Sequence, residues 1–131
     1  MSTLKVNTIQ NTSGTSSAST ESITNSCKAW VNFNGTGAVA IRAGYNVSSI
    51  TDNGTGDYTV NFISPIKDSN YCILTTGIVI TDQGSSFALA PVVPSGPSTG
   101  PVLLKTTTQV RVKSRRETDY DISECNVSII R

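Results

Sequence analysis

The sequence has no histidine and little charge. Only 15% of its 131 residues are charged, against about 25% in an average soluble protein. Without histidine, neither a Ser-His-Asp nor a Cys-His arrangement can form within one chain, which excludes most hydrolase mechanisms. The net charge of +1 provides no overall field that would attract nucleic acid or an anionic membrane.

Cysteines and long apolar runs are also scarce. Cys27, Cys72 and Cys125 are odd in number and far apart, with no C-x-x-C pair, which argues against a disulfide framework and a zinc site. No window approaches the roughly 18 apolar residues of a membrane-spanning helix, and the opening MSTLKVNTIQ has no secretion-signal pattern. We therefore expect small buried cysteines, no membrane insertion and no export by a cleaved signal.

Three short motifs resemble catalytic or metal-binding sites, but a loop, a turn or a salt bridge explains each of them better. The G-x-S-x-G pattern from Gly96 to Gly100 is flanked by prolines rather than by a strand and a helix, so a proline-rich loop is expected. Residues 52–57 offer oxygen ligands without EF-hand spacing, which favours a hairpin turn over a calcium site. Asp119 and Asp121 resemble a glycosidase pair, but adjacent arginines favour solvated salt bridges. We predict no catalytic residue, cofactor or metal, and no enzymatic activity.

The residues that are abundant, Ser, Thr, Asn and Gly, are typical of β-structure and turns. The stretch from Lys28 to Ile63 contains the only Trp and alternates apolar with polar side chains, which is the period of a strand. The apolar positions of its first and last strands are Ala29, Val31 and Phe33, then Tyr58, Val60 and Phe62.

Short strands separated by Gly and Asn turns predict an all-β, antiparallel β-sandwich of jelly-roll type. Hairpin turns of type I′ are expected at Asn34-Gly35 and Asn53-Gly54. The segment Tyr71–Thr81 is apolar on both faces, so we expect burial on two sides, in a central strand or under another chain. The other expected strands lie at 28–34, 38–43, 45–51 and 57–63, near Phe87, Leu89 and Val92, and within 102–115 and 120–131; a loop is expected at 94–101.

Residues 1–26 differ in kind from residues 27–131, which form the predicted β-domain. Leu4, Val6 and Ile9 are the apolar side chains of a short segment that needs a partner surface to fold on. The Ser/Thr-rich tract 11–26 that follows cannot bury enough area to offset the entropy of ordering. Residues 1–26 are thus predicted to be an extended attachment arm and linker.

One charged feature has a regular geometry. Arg111, Lys113 and Arg115 alternate with Val110 and Val112, so they share one face of a strand and are candidate contacts for a phosphate or a carboxylate. A plain solvent face is the alternative, since positive charge discourages edge pairing. No aromatic residues are interleaved, which makes nucleic-acid binding by stacking a poor fit.

The aromatic side chains permit a further interpretation, a carbohydrate-binding module. Trp30, Tyr45 and Tyr58 would stack on sugar rings if they were exposed. For Trp30 the pattern favours the core or a subunit interface instead.

Two stretches resemble a known family. MSTLKVNTIQNTSGTSS is similar to the N-termini of tail fibres and other virion structural proteins of tailed bacteriophages. CKAWVNFNGTGAVAIRAGYNVSSITDNGTGDYTVNF resembles a module that recurs in such proteins, notably in phages of marine and freshwater bacteria, including cyanobacteria. Together the two stretches cover nearly half of the chain.

The resemblance implies a virion component made in the host cytoplasm, commonly a homotrimeric fibre. Residues 1–26 would dock on other virion proteins, with Leu4, Val6 and Ile9 as contacts, and the β-domain would face outward to a host surface glycan. No shaft separates arm from domain, so the alternative is a capsid decoration protein. The apolar face within 71–80 would suit a subunit interface.

Overall fold

The structure is a computed structural model that describes residues 5–15, 17–19, 26–78, 86–87, 89–91, 105–114 and 120–131. These residues form eleven β-strands and no helix. All pairs of neighbouring strands are antiparallel. The all-β, antiparallel part of the predicted fold is therefore confirmed.

A short hairpin lies at the N-terminus. β1 (Thr8–Gln10) pairs with β2 (Ser17–Ser19), and the turn between them contains Gly14 with a φ of 71°. The Ser/Thr-rich tract thus does not continue straight from β1, because it turns at Gly14 and its residues 17–19 pair with β1. Backbone pairing explains this difference, since it requires no apolar side chain.

Of the three apolar residues expected to make docking contacts, only Ile9 lies in β1. Val6 precedes β1, and Leu4 lies outside the described residues. The division of the chain into 1–26 and 27–131 stays a prediction.

The remaining strands form two sheets. One has four strands in the order β5-β6-β10-β9, and the other has five in the order β4-β3-β11-β7-β8. Their bounds are β3 (Cys27–Asn34), β4 (Ala40–Tyr45), β5 (Val47–Gly54), β6 (Asp57–Phe62), β7 (Cys72–Ile78), β8 (Ser86–Phe87), β9 (Leu89–Pro91), β10 (Gln109–Ser114) and β11 (Glu124–Ile130).

The core lies between the two sheets, because alternate residues of both contribute to one buried cluster. Phe33 of β3 and Tyr58 of β6 meet edge to face, with ring centroids 5.2 Å apart. The buried apolar residues are Ala29, Val31, Phe33, Tyr58, Val60, Phe62, Ile66, Tyr71, Val110, Val112, Ile122, Cys125, Val127 and Ile129. Of the three cysteines only Cys125 is buried, so the expectation of buried cysteines was wrong for the other two.

The turn predicted at Asn34-Gly35 is wrong. β3 and β4 are joined by the longer loop 35–39, in which Gly37 has the positive φ, 62°. Gly35 is required for a different reason: an added Cβ would overlap Tyr58 Oη and Ile122 O. The chain approaches Ile122 closely here because the Gly35 N–H donates to Ile122 O at 2.8 Å. This loop moves β4 and β5 about two residues along from the predicted 38–43 and 45–51.

A hairpin joins β5 and β6, but its tip is Thr55-Gly56, two residues beyond the predicted position. The type I′ turn predicted at Asn53-Gly54 is wrong, because Asn53 lacks the positive φ that this turn requires. Gly54 and Gly56 both have positive φ, 122° and 66°. The predicted loop at 94–101, including the G-x-S-x-G pattern, lies outside the described residues.

Strand β7 is central, as predicted for residues 71–81, since it pairs with both β11 and β8. The two faces of β7 differ in solvent exposure, however. Gly77 is buried, whereas Leu74 and Ile78 are 54% and 46% exposed. The expected burial on two sides is therefore wrong within the single chain, because the core covers only one face of this sheet.

Candidate functional site

The side of the five-stranded sheet that faces away from the core is the candidate site, and we call it the outer face. Strand alternation creates it: Ala29, Val31 and Phe33 of β3 point inward and are buried, so Trp30 and Asn32 point outward. Trp30 is 40% exposed. Trp30 is therefore not part of the core of this chain, and the other half of that expectation, a subunit interface, stays a prediction.

A row of four side chains crosses the outer face. The pairing register places Tyr45 of β4 opposite Trp30, Trp30 opposite Ser128 of β11, and Ser128 opposite Leu74 of β7. Tyr45 is 60% exposed. Small Ser128 thus lies between two large side chains, Trp30 and Leu74.

Beside this row, on the next outward positions of the same strands, lies a cluster of polar side chains. Asn32 Nδ2 donates to Asn126 Oδ1 at 2.7 Å and to Glu124 Oε1 at 3.3 Å. Asn126 Nδ2 donates to the same Glu124 oxygen at 3.4 Å. These bonds hold the two amides and the carboxylate in fixed orientations on the sheet surface.

A shallow depression follows the seam between β7 and β11. Its volume is about 170 Å³, and it is lined by Leu74, Thr75, Thr76, Asn126 and Ser128. The outer face therefore combines aromatic surfaces, fixed amides and a recess. Such a set can hold a ligand by stacking and hydrogen bonding.

Of the three basic residues that were predicted to share one face of a strand, Arg111 already has an ion-pair partner. Arg111 forms a bidentate ion pair with Asp57, with Nε–Oδ1 and Nη2–Oδ2 distances of 2.7 Å each. Lys113 lies on the same face of β10, half-buried, and Arg115 lies outside the described residues. The Arg111 guanidinium is thus already paired with a carboxylate of the same four-stranded sheet.

The acidic residues weighed for cation binding or catalysis also have protein partners. Asp52 Oδ1 accepts the Gly54 N–H at 2.9 Å, as in a turn. Asp121 Oδ1 accepts the Gly56 N–H at 2.8 Å, whereas Asp119 lies outside the described residues. Within the described ranges, no group of three or more Cys, Asp or Glu side chains is arranged to hold a metal ion.

Tyr58 is fully buried, which removes it from the candidate sugar-stacking residues. Its hydroxyl donates to Gly35 O at 2.9 Å and accepts the Ile122 N–H at 3.3 Å. Burial raises the pKa of Tyr58 well above its ordinary value. Tyr58 thus links the two sheets instead of facing a ligand.

The arm residues that the structure describes are exposed, with Val6 at 39% and Ile9 at 57%. No helix long and apolar enough to cross a membrane occurs in the part of the chain that the structure describes.

Sequence reasoning named Trp30 and Tyr45 but missed Ser128, Asn126 and Leu74 as their neighbours. The alternating Asn126-Val-Ser128 pattern was a usable signal, since it places both polar residues on one face. Which strand would lie beside β11 could not be read from that pattern.

Comparison with known proteins found no matching family model, no matching curated protein and no matching solved structure.

Proposed function

We propose that the protein is a virion structural protein, a short tail fibre or fibre-type attachment protein with a structural rather than a catalytic role. Residues 1–26 dock on other virion proteins, and the β-domain faces outward towards the host surface. The similarity of two stretches to phage fibre proteins motivates this role. The observation that supports it most is the exposure of Val6 and Ile9 in the N-terminal segment.

Exposed apolar side chains at an N-terminal hairpin are suited to docking. The side chains of Gln10, Asn11, Ser13 and Thr15 hydrogen-bond within the hairpin itself, which leaves Val6 and Ile9 available to a partner. Burying a side chain of this kind contributes about 1.5–3 kcal/mol. Two such side chains, together with strand pairing, would anchor the arm.

The test replaces both side chains in the full chain. V6D/I9D should abolish incorporation into particles, because two carboxylates cannot be buried unpaired in an apolar docking site. The matched control T12D adds charge to the same hairpin at an exposed polar position and should be incorporated normally. Co-purification of V6D/I9D with virions at the level of the unmodified protein would contradict the proposal.

For the architecture we propose a β-sandwich of jelly-roll type, assembled as a homotrimer. The buried cluster shared by both sheets supports the sandwich. Successive strands alternate between the two sheets in pairs, with β3-β4 and β7-β8 in one sheet and β5-β6 and β9-β10 in the other. The β6–β10 pair lies, in sequence, inside the β3–β11 pair, as in Greek-key connections. The trimer rests on the family resemblance.

A second candidate is a capsid decoration protein. It is favoured by exposed apolar side chains on more than one surface, with Ile63 after β6 66% exposed and Ile78 on the outer face 46% exposed. Bridging neighbouring shell subunits requires contacts of this kind on separate surfaces. Locating the protein on the head or on the tail distinguishes the two candidates.

A further inference from the structure

We propose that the outer face binds a neutral oligosaccharide, with one sugar ring seated over Ser128 between Trp30 and Leu74. This inference rests on the proposed function, because it names the ligand class that an outward-facing domain would meet on a host surface. We call the recess between these two large side chains the slot.

The pairing register gives the slot its shape. Neighbouring paired residues lie about 5 Å apart, so Trp30 and Leu74 are separated by about 10 Å with Ser128 between them. The 170 Å³ depression lies on the Leu74 side of Ser128, and Trp30 is not among its lining residues. The small Ser128 side chain between the larger Trp30 and Leu74 leaves space for one six-membered sugar ring.

Aromatic surface borders the slot on one side. Trp30 and Tyr45 are directly paired neighbours, and they are 40% and 60% exposed. The face of an aromatic ring is electron-rich, so it attracts the polarised C–H groups on one side of a sugar ring. Two adjacent aromatics would extend this contact from one sugar to the next.

The polar cluster supplies the hydrogen bonds that a sugar requires. Asn32, Asn126 and Glu124 are already oriented by their mutual bonds. Among the described residues, one N–H of Asn126 and the carbonyl oxygen of Asn32 have no protein partner, so a donor and an acceptor are available together. Neighbouring sugar hydroxyls both donate and accept, which matches this arrangement.

The charge on the face selects a neutral ligand. The outer face also carries the cation Lys28, two residues before Trp30 on β3, and Arg42 lies nearby, with its Nη2 donating to Ser123 O at 2.7 Å. At the amides themselves, however, the local charge is that of Glu124, whose Oε1 accepts from both Asn32 and Asn126. An anionic sugar seated beside Glu124 would be repelled. The ligand class is therefore a neutral hexose or N-acetylhexosamine polymer.

A second copy of the chain fits the same face less well. Packing two copies flat against each other would bury Glu124 together with the amides of Asn32 and Asn126. Removing a carboxylate and two amides from water is costly unless each finds a partner. A sugar supplies these partners, whereas an apolar facing surface would not.

The chain's single tryptophan makes the test direct. Trp30 is the only Trp, so its fluorescence reports the slot alone. The full-length protein is titrated with neutral hexasaccharides of glucose, mannose, galactose and N-acetylglucosamine, and with anionic hexagalacturonate. At least one neutral probe should shift the emission saturably, whereas hexagalacturonate should bind about tenfold or more weakly.

Two variants locate the binding. S128L fills the slot and N126A removes the amide, and each should weaken the neutral probe by about tenfold or more. S48L makes the same change on exposed Ser48 of the other sheet and should bind normally. Circular dichroism and urea midpoints verify that each variant folds.

Three results would overturn the inference. One is the absence of a saturable emission shift with every neutral probe at millimolar concentration. Another is unchanged binding in both S128L and N126A. The third is an emission shift that follows protein concentration and molecular mass instead of sugar, which would identify the outer face as a contact between copies.

The experiment also separates this inference from the proposed function. S128L leaves Val6 and Ile9 intact, so its incorporation into virions should be normal. If incorporation depends on the arm but no sugar binds, only the inference fails. If a sugar binds but the protein is absent from virions, only the proposed function fails.

Discussion

At the scale of single residues, buried polar groups make the stability of the domain dependent on pH. Tyr71 is 3% exposed, and its hydroxyl donates to Thr106 O at 2.8 Å. Burial disfavours the phenolate and raises the pKa of Tyr71 to about 12. Burial likewise raises the pKa of the Cys125 thiol to about 12.

Both pKa values lie above those of the unfolded chain, about 10 for tyrosine and 8.5 for cysteine. The folded state therefore holds these protons more tightly, and the stability this gives is fully present below pH 8.5. We expect the free energy of unfolding to fall as pH rises from about 9 towards 12. Urea unfolding at a series of pH values measures the fall.

Tyr71→Phe tests the contribution of one of these groups. The variant should be less stable than the unmodified protein at pH 7, by about 1–2 kcal/mol, because Thr106 O loses its donor. It should also lose less stability between pH 10 and 12, because one titrating group is gone. Tyr45→Phe, at an exposed tyrosine, controls for hydroxyl loss at pH 7. An equal alkaline decline in Y71F and the unmodified protein would contradict this account.

At the scale of elements, the β5–β6 hairpin depends on Gly56. Its φ is 66°, and an added Cβ would overlap Ser114 Oγ and Tyr120 O. Gly37 in the β3–β4 loop has a similar φ of 62°, with nothing within 4 Å of an added Cβ. Substituting each glycine by alanine therefore distinguishes the cost of a strained backbone from the cost of steric overlap.

Gly37→Ala should cost about 1–2 kcal/mol for the left-handed backbone alone. Gly56→Ala should cost about 1–3 kcal/mol more, because the crowded neighbours must move. Chemical denaturation of both variants measures the difference. Equal destabilisation would show that the space around Gly56 is not restrictive.

Alternation predicted the strands whose faces differ in polarity. The predicted spans 28–34 and 57–63 differ from β3 and β6 by a single residue at one end. In β3 the reason is that Ala29, Val31 and Phe33 lie on one face of the strand and are all buried in the core. β4 was less predictable, since all six of its residues are exposed and no burial pattern fixes its ends.

The candidate site was only half predictable from the sequence. Trp30 and Tyr45 stand out as aromatics in a strand pattern, and their exposure follows once the inward residues are known. The slot depends on Ser128 lying between Trp30 and Leu74, which are 44 positions apart in sequence. Such non-local pairing is decided by the packing of the whole sheet and not by local pattern.

At the scale of the whole molecule, the proposed homotrimer predicts that the isolated protein associates. Light scattering should give three times the 13.8 kDa mass of the chain, as the proposed homotrimer requires. S128L should retain this mass, because the slot is proposed to bind sugar and not another copy. A monomer across the micromolar range would count against the trimer.

The proposed function requires that the protein is part of a virion and is attached by its N-terminal arm. Cryo-electron microscopy of intact particles that carry a label on the β-domain tests this requirement. We predict label at the tail, held away from the particle surface by the arm. Label on the head would favour the decoration role, and particles without any label would contradict the proposed function.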